Sequence, residues 1–205
     1  PVEAASTKSN DEAIVVTAQG RRQVLQDVPI AVTAVGGDAM QNSGANDIRQ
    51  LNQLAPSLLV SSTSTEANGS ARIRGIGTVG DNPGLESSVA VFIDGVYRSR
   101  SGIGLNEMGE LDRVEVLRGP QGTLFGRNSV GGAVSIVSKK PSGQFELRQT
   151  LGIRNYDGYS SETHLDLPSF ADISLKFDAV FNKRDGTVKN PLRGADDFNQ
   201  FDRRG

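Results

Sequence analysis

Cysteine is absent from the 205-residue sequence, which excludes disulfides and any cysteine zinc site as the scaffold. Histidine occurs once, at His164. It lies in an alternating stretch, where a polar strand face is expected rather than a catalytic triad. No carboxylate cluster has metal-ligand spacing along the chain. The expectation is therefore no catalytic residue, no cofactor and no metal. No run approaches the roughly 18–20 apolar residues of a membrane helix. Membrane residence would require a closed barrel, in which every backbone polar group is paired. Net charge is −2, so no electrostatic footprint for nucleic acid is present. What the chain has is glycine, 24 residues against a hydrophobic content of 36%, a balance that favours short strands and many turns. It opens on Pro1 without a visible signal peptide, as a mature or clipped start would.

Residues 1–11 are small and polar and predict a disordered lead-in. Residues 12–18, Glu12-Ala13-Ile14-Val15-Val16-Thr17-Ala18, form an isolated β-prone run. Residues 28–35 read as a buried strand and residues 38–43 as one helical turn. Asn46 or Asp47 is a plausible cap for a helix carrying Ile48, Leu51, Leu54 and Ala55 at helical spacing before Pro56 stops it. Further strands are predicted over residues 71–76, 89–96 (ending in the turn Asp94-Gly95), 113–117 and 133–138. Together these make a compact α+β unit, a short mixed sheet with small helices, over residues 20–141.

The rhythm then changes. Phe145, Leu147, Leu151 and Ile153 alternate with Glu146, Arg148 and Thr150. Tyr159, Leu165 and Leu167 oppose Ser160, Glu162, His164 and Asp166. Ile173, Leu175, Phe177, Ala179 and Phe181 oppose Asp172, Ser174, Lys176 and Asp178. Period two over about ten residues suits a transmembrane barrel strand, apolar toward lipid and polar toward the lumen. A soluble antiparallel sheet with one wet face gives the same pattern.

Residues 111–141, LDRVEVLRGPQGTLFGRNSVGGAVSIVSKKP, resemble the most recognisable segment of the plug domain in TonB-dependent outer-membrane receptors. Asp27-Val28-Pro29-Ile30-Ala31-Val32, residues 47–58, Arg72-Ile73-Arg74-Gly75 and residues 91–97 (VFIDGVY) resemble other plug segments and follow in the family's order. The resemblance implies three parts: a flexible leader with a TonB box over residues 1–19, a plug over 20–141, and over 142–205 the first three antiparallel strands of an incomplete transmembrane barrel with part of an extracellular loop. It also implies localisation in the bacterial outer membrane and TonB-dependent import of a scarce solute such as a ferric siderophore. The implied partners are TonB with ExbB and ExbD, a small-molecule ligand from outside, and outer-membrane lipid.

The resemblance assigns residues as well. Glu12 to Ala18 match the TonB box, which pairs with TonB as an added strand. Arg74, Asp81, Asn82, Arg98 and Arg100 fall on the plug apex that faces ligand. Arg113, Glu115 and Arg118 match charges that lie against the barrel wall. Two alternatives stay open, a ligand-sensing module without transport and a non-functional truncated receptor. A dinucleotide-binding enzyme is a rival suggested by Gly75-Ile76-Gly77-Thr78-Val79-Gly80. That motif needs a helix at its last glycine, whereas Asp81-Asn82-Pro83-Gly84 is turn sequence.

Overall fold

The computed structural model describes residues 14–17, 21–43, 48–62, 69–78, 86–99, 109–186, 188–190, 195–198 and 201–204; residues 48–50, 62 and the last three stretches are described by their backbone. In chain order the elements are β1 (Val15–Val16), β2 (Gln23–Val24), β3 (Val32–Gly36), α1 (Gly37–Asn42), a 3-10 stretch Ile48–Gln53, β4 (Leu58–Ser62), β5 (Gly69–Ile73), β6 (Val89–Ile93), β7 (Val96–Arg98), β8 (Leu111–Arg118), α2 (Gly122–Phe125), β9 (Gly132–Ser138), β10 (Glu146–Arg154), β11 (Gly158–Asp166), β12 (Lys176–Arg184), β13 (Val188–Asn190), β14 (Ala195–Phe198) and β15 (Phe201–Arg204).

The first unit is built on a five-stranded sheet of order β3-β8-β9-β6-β7. All its pairings are antiparallel except β6 with β9. Side-chain alternation gives the sheet two apolar faces. Val114 and Val116, Val134 and Ile136, and Val89 and Val91 share one face, against Met40, Leu51, Ala55, Leu58, Val60, Ala71 and Ile73. Leu117, Ala133 and Ala90 point the other way, onto Val16 with Leu25, Val28, Ile30 and Phe125 around it. Burial on both faces explains why β6 and β9 are nearly continuous apolar runs. Gly132 shows how tightly the strands pass. Its φ is 136°, and a Cβ there would lie 2.2 Å from the Leu117 carbonyl oxygen.

The sheet has a base. Ser138 pairs with Leu111, and Arg113 with Gly36. The Asp94 carboxylate accepts from the Ser138 backbone N–H and hydroxyl, each at 2.8 Å. From this end the chain continues through residues 139–145 into the second unit, an antiparallel sheet of order β10-β11-β12-β15. The outer face of that sheet exposes Leu147, Leu151, Ile153, Tyr159 and Phe177, with Ile153 at 95%. On the other face Ser160, His164 and Asp166 are buried. The alternation is therefore inverted relative to a water-facing sheet, apolar outward and polar inward, as the sequence predicts.

Several boundaries differ from the expected ones. The strand foreseen over residues 28–35 begins at Val32, because a 3-10 turn at Leu25–Asp27 and Pro29, which has no N–H to donate, occupy its start. The helix foreseen before Pro56 is the 3-10 stretch, and its candidate caps lie outside the described residues. The strand over 71–76 stops at Ile73 because Arg74 and Gly75 take φ of 54° and 79°, the tight turn favoured between antiparallel strands. Ile73 and Ile76 exchange both backbone bonds across it, at 2.9 and 3.0 Å. The described start of the glycine motif, Gly75 to Thr78, is thus a turn, and a Cβ on Gly77 would meet the Ala71 carbonyl oxygen at 2.8 Å. Residues 89–96 fold back at Asp94 and Gly95 into β7. The tail read as loop holds the β13–β14 hairpin and then β15, which pairs with β12 from Phe181 to Arg184. A fourth wall strand therefore begins at Phe201.

Candidate functional site: the docked leader strand and the plug–wall seam

The leader run is held on the first unit at residues 14–17. Val16 is fully buried against the second face of the sheet, worth about 1.5–3 kcal/mol. Ile14 remains half exposed. β1 pairs antiparallel with β2, Val15 opposite Val24 and Val16 opposite Gln23, and the Leu25 N–H donates to the Ile14 carbonyl at 2.8 Å. The next residue, Thr17, is gripped by Glu115. One oxygen of that carboxylate, Oε1, accepts from the Thr17 backbone N–H at 2.7 Å and from its hydroxyl at 3.1 Å. The same oxygen accepts from Arg113 Nε at 2.8 Å, while Arg113 Nη2 reaches the Thr17 hydroxyl at 3.3 Å. Glu115 is fully buried, and its other oxygen has no partner among the described residues. Beside this contact runs a groove of about 820 Å³ lined by Thr17, Arg22, Phe92, Asp94, Arg113 and Phe125 among others.

A second charged contact joins the two units. Glu110, just before β8, accepts from Lys139 at 2.8 Å, from Arg148 of β10 and from Lys176 of β12. Burial alone would raise the Glu110 carboxyl. The hydrogen bonds from Lys139, Lys176 and Arg148 outweigh it and lower its pKa from an ordinary 4.5 to about 2. His164 Nδ1 lies 2.6 Å from Asp178 Oδ1, and Lys176 Nζ sits 3.7 Å from the same oxygen. Glu110, His164 and Asp178 place their ligand-type atoms within 4.8 Å of one another. The Lys176 ammonium stands among them, so the cluster is already charge-compensated. Sequence spacing concealed this grouping, because its members come from three separate segments.

Residues 24–133 match the family described as the TonB-dependent Receptor Plug Domain. The chain belongs to that family. Among similar proteins, the pesticin receptor of Yersinia pestis is 28% identical over 202 residues, covering 95% of this chain and 29% of the relative. The ferripyoverdine receptor of Pseudomonas aeruginosa is 29% identical over 150 residues, covering 70% of this chain and 17% of the relative. The crystal structure of the ferric yersiniabactin uptake receptor FyuA from Yersinia pestis superposes with a TM-score of 0.69 at 26% identity, covering 83% of this chain and 27% of that one. The chain thus spans under a third of the length of these relatives. The first unit is the plug, and the second is the opening stretch of the wall of an outer-membrane TonB-dependent receptor.

Within that frame the expected site residues separate into groups. Ile14, Val15, Val16 and Thr17 of the TonB-box match form β1 and the residue on either side of it; Glu12, Ala13 and Ala18 lie outside the described residues. Of the apex set, Arg74 occupies the turn after β5 and Arg98 ends β7, both exposed, and Asp81, Asn82 and Arg100 lie outside the described residues. Arg113 and Glu115 face the leader rather than β10–β12. Arg118 reaches the carbonyls of Ala31 and Val32, at 3.4 and 3.5 Å. The charged residue of the plug that meets the described wall is Glu110, which the sequence reading did not single out. A carboxylate directly ahead of a strand, with Lys139 just past the strand that pairs with it, was the available signal.

Proposed function

We propose that the complete protein imports a scarce solute, a ferric chelate first among candidates, across the bacterial outer membrane by TonB-dependent transport. The relatives named as receptors for ferripyoverdine and ferric yersiniabactin support the substrate class. In this reading solute binds on the extracellular side, at Arg74, Asp81, Asn82, Arg98 and Arg100 of the plug apex and at loops of the complete barrel. Residues 12–18 are the TonB box, which TonB takes up as an added strand. ExbB and ExbD transmit the inner-membrane proton gradient to that pull, the plug shifts, and the solute passes. No covalent chemistry takes place in this chain.

The observation that carries the reading is how few contacts hold the leader to the plug. The leader is held by one buried valine and a few hydrogen bonds, on a plug that meets β10 and β12 through a salt-bridge cluster on Glu110. Deleting the gene for the complete protein should abolish growth and iron uptake on one or a few ferric chelates in iron-limited medium. Unchanged growth and uptake on every chelate tried would overturn the assignment.

A further inference from the structure

The docked strand has two edges, and the hydrogen bonds identify which is spoken for. In an antiparallel ladder, residues alternately direct their N–H and C=O toward the partner strand and away from it. Ile14 bonds Leu25 across the β1–β2 pair. The same side is therefore used by Ile14 and Val16, and Val15 and Thr17 turn their backbone groups to the opposite edge. That geometry agrees with the position of Glu115, which caps the Thr17 N–H from outside the β1–β2 pair. A partner strand adding to β1 has this outward edge alone to pair with, because β2 holds the other.

Resting on the proposed TonB-box role of residues 12–18, we propose that Glu115 is an edge cap that gates strand addition. Its carboxylate occupies the N–H of Thr17 that an incoming TonB strand needs, so docking on the plug and pairing with TonB compete for one donor. Arg113 completes the device. Its guanidinium bonds both Glu115 and Thr17, and when Thr17 leaves it stays beside the carboxylate as counter-ion. The buried charge is then not abandoned, and the strand can come away and return. Unpaired strand edges are commonly protected in folded proteins. Here the protection sits on the donor that the function requires.

The test uses the complete receptor in detergent and the purified periplasmic domain of TonB, with no solute added. A cysteine at Ile14, which is half exposed, reports pairing by disulfide crosslinking, with copper phenanthroline as oxidant, to a single cysteine introduced into the pairing strand of the TonB domain. Thr17→Val removes the hydroxyl and keeps the N–H; Glu115→Gln keeps the shape and removes the charge. Crosslinking should rise in the order wild type, Thr17→Val, Glu115→Gln, reaching roughly tenfold for the last, the worth of converting a charge-assisted bond to a neutral one. Thr17→Val leaves the buried carboxylate in place, so its rise over wild type tests the cap even where Glu115→Gln fails to fold normally. A synthetic peptide of residues 12–18 separates the two claims. If the peptide does not bind TonB, the TonB-box reading fails. If it binds while wild type and both variants crosslink equally, the edge cap fails and the reading stands.

Discussion

Glu110 concentrates three cations on one carboxylate, and its consequence is a pH window. A carboxyl held near 2 in the folded protein contributes stability that is fully present above its ordinary value of 4.5. That contribution is lost as pH falls through about 2, and its size is on the order of 3 kcal/mol. Acid titration of the complete receptor, followed by hydrogen exchange in β8 and β9, should show their protection falling across that interval. Glu110→Ala should cost about 3 kcal/mol at neutral pH, because it leaves the nearly buried ammonium of Lys176 with only the longer contact to Asp178 at 3.7 Å; denaturant unfolding measures it. Gly132→Ala should also destabilise severely, through collision with the Leu117 carbonyl and the φ of 136°, by more than the ~1 kcal/mol typical of glycine replacements. Such residue-scale roles were only partly legible. The alternation of Arg113 and Glu115 with Val114 and Val116 along β8 was plain in the sequence. Arg118, expected on the face of Arg113 and Glu115, is an odd number of residues away from both and reaches the Ala31 and Val32 carbonyls instead. That Thr17, 98 positions away, would meet Glu115 was not plain, because nothing local encodes a contact of that span.

Among the elements, strands with strong period-two or β-branched character were foreseen within a few residues, since burial and pleat both select for it. The miss lies where turn chemistry overrides the pattern, at Arg74-Gly75, where positive φ ends a run that still looks apolar, whereas the turn at Asp94-Gly95 was legible from its residue types. Two element-scale outcomes follow. Leu151, mid-strand on the outer face of β10, is three-quarters exposed. In the complete protein Leu151→Arg should cost roughly 2–4 kcal/mol, while Thr150→Arg on the inner face should cost much less. Unfolding from lipid vesicles compares them, and equal costs would contradict the inside–outside assignment. In β1, Val15→Pro removes an N–H from the edge turned away from β2. A peptide of residues 12–18 carrying it should bind the TonB periplasmic domain at least several-fold more weakly than the unaltered peptide, measured by calorimetry.

Taken whole, the molecule is a plug joined at its base to the first strands of the wall that surrounds it. The class of fold could be read early because five motifs in the family's order, between residues 27 and 141, carried it. Alternation alone left the second unit ambiguous between a soluble sheet and a membrane wall. The resolution came from burial: polar His164 and Asp166 lie inside, and Ile153 and Phe177 lie outside. Among the described residues, the order β10-β11-β12-β15 leaves β10 and β15 with unpaired flanks beneath a greasy outer surface. A polypeptide cut to these 205 residues should therefore behave as two materials in one chain. In plain buffer its fringe would drag a water-compatible head into sediment, and micelles would return it to solution. For this stretch of sequence, the choice of solvent decides whether there is a sample to study.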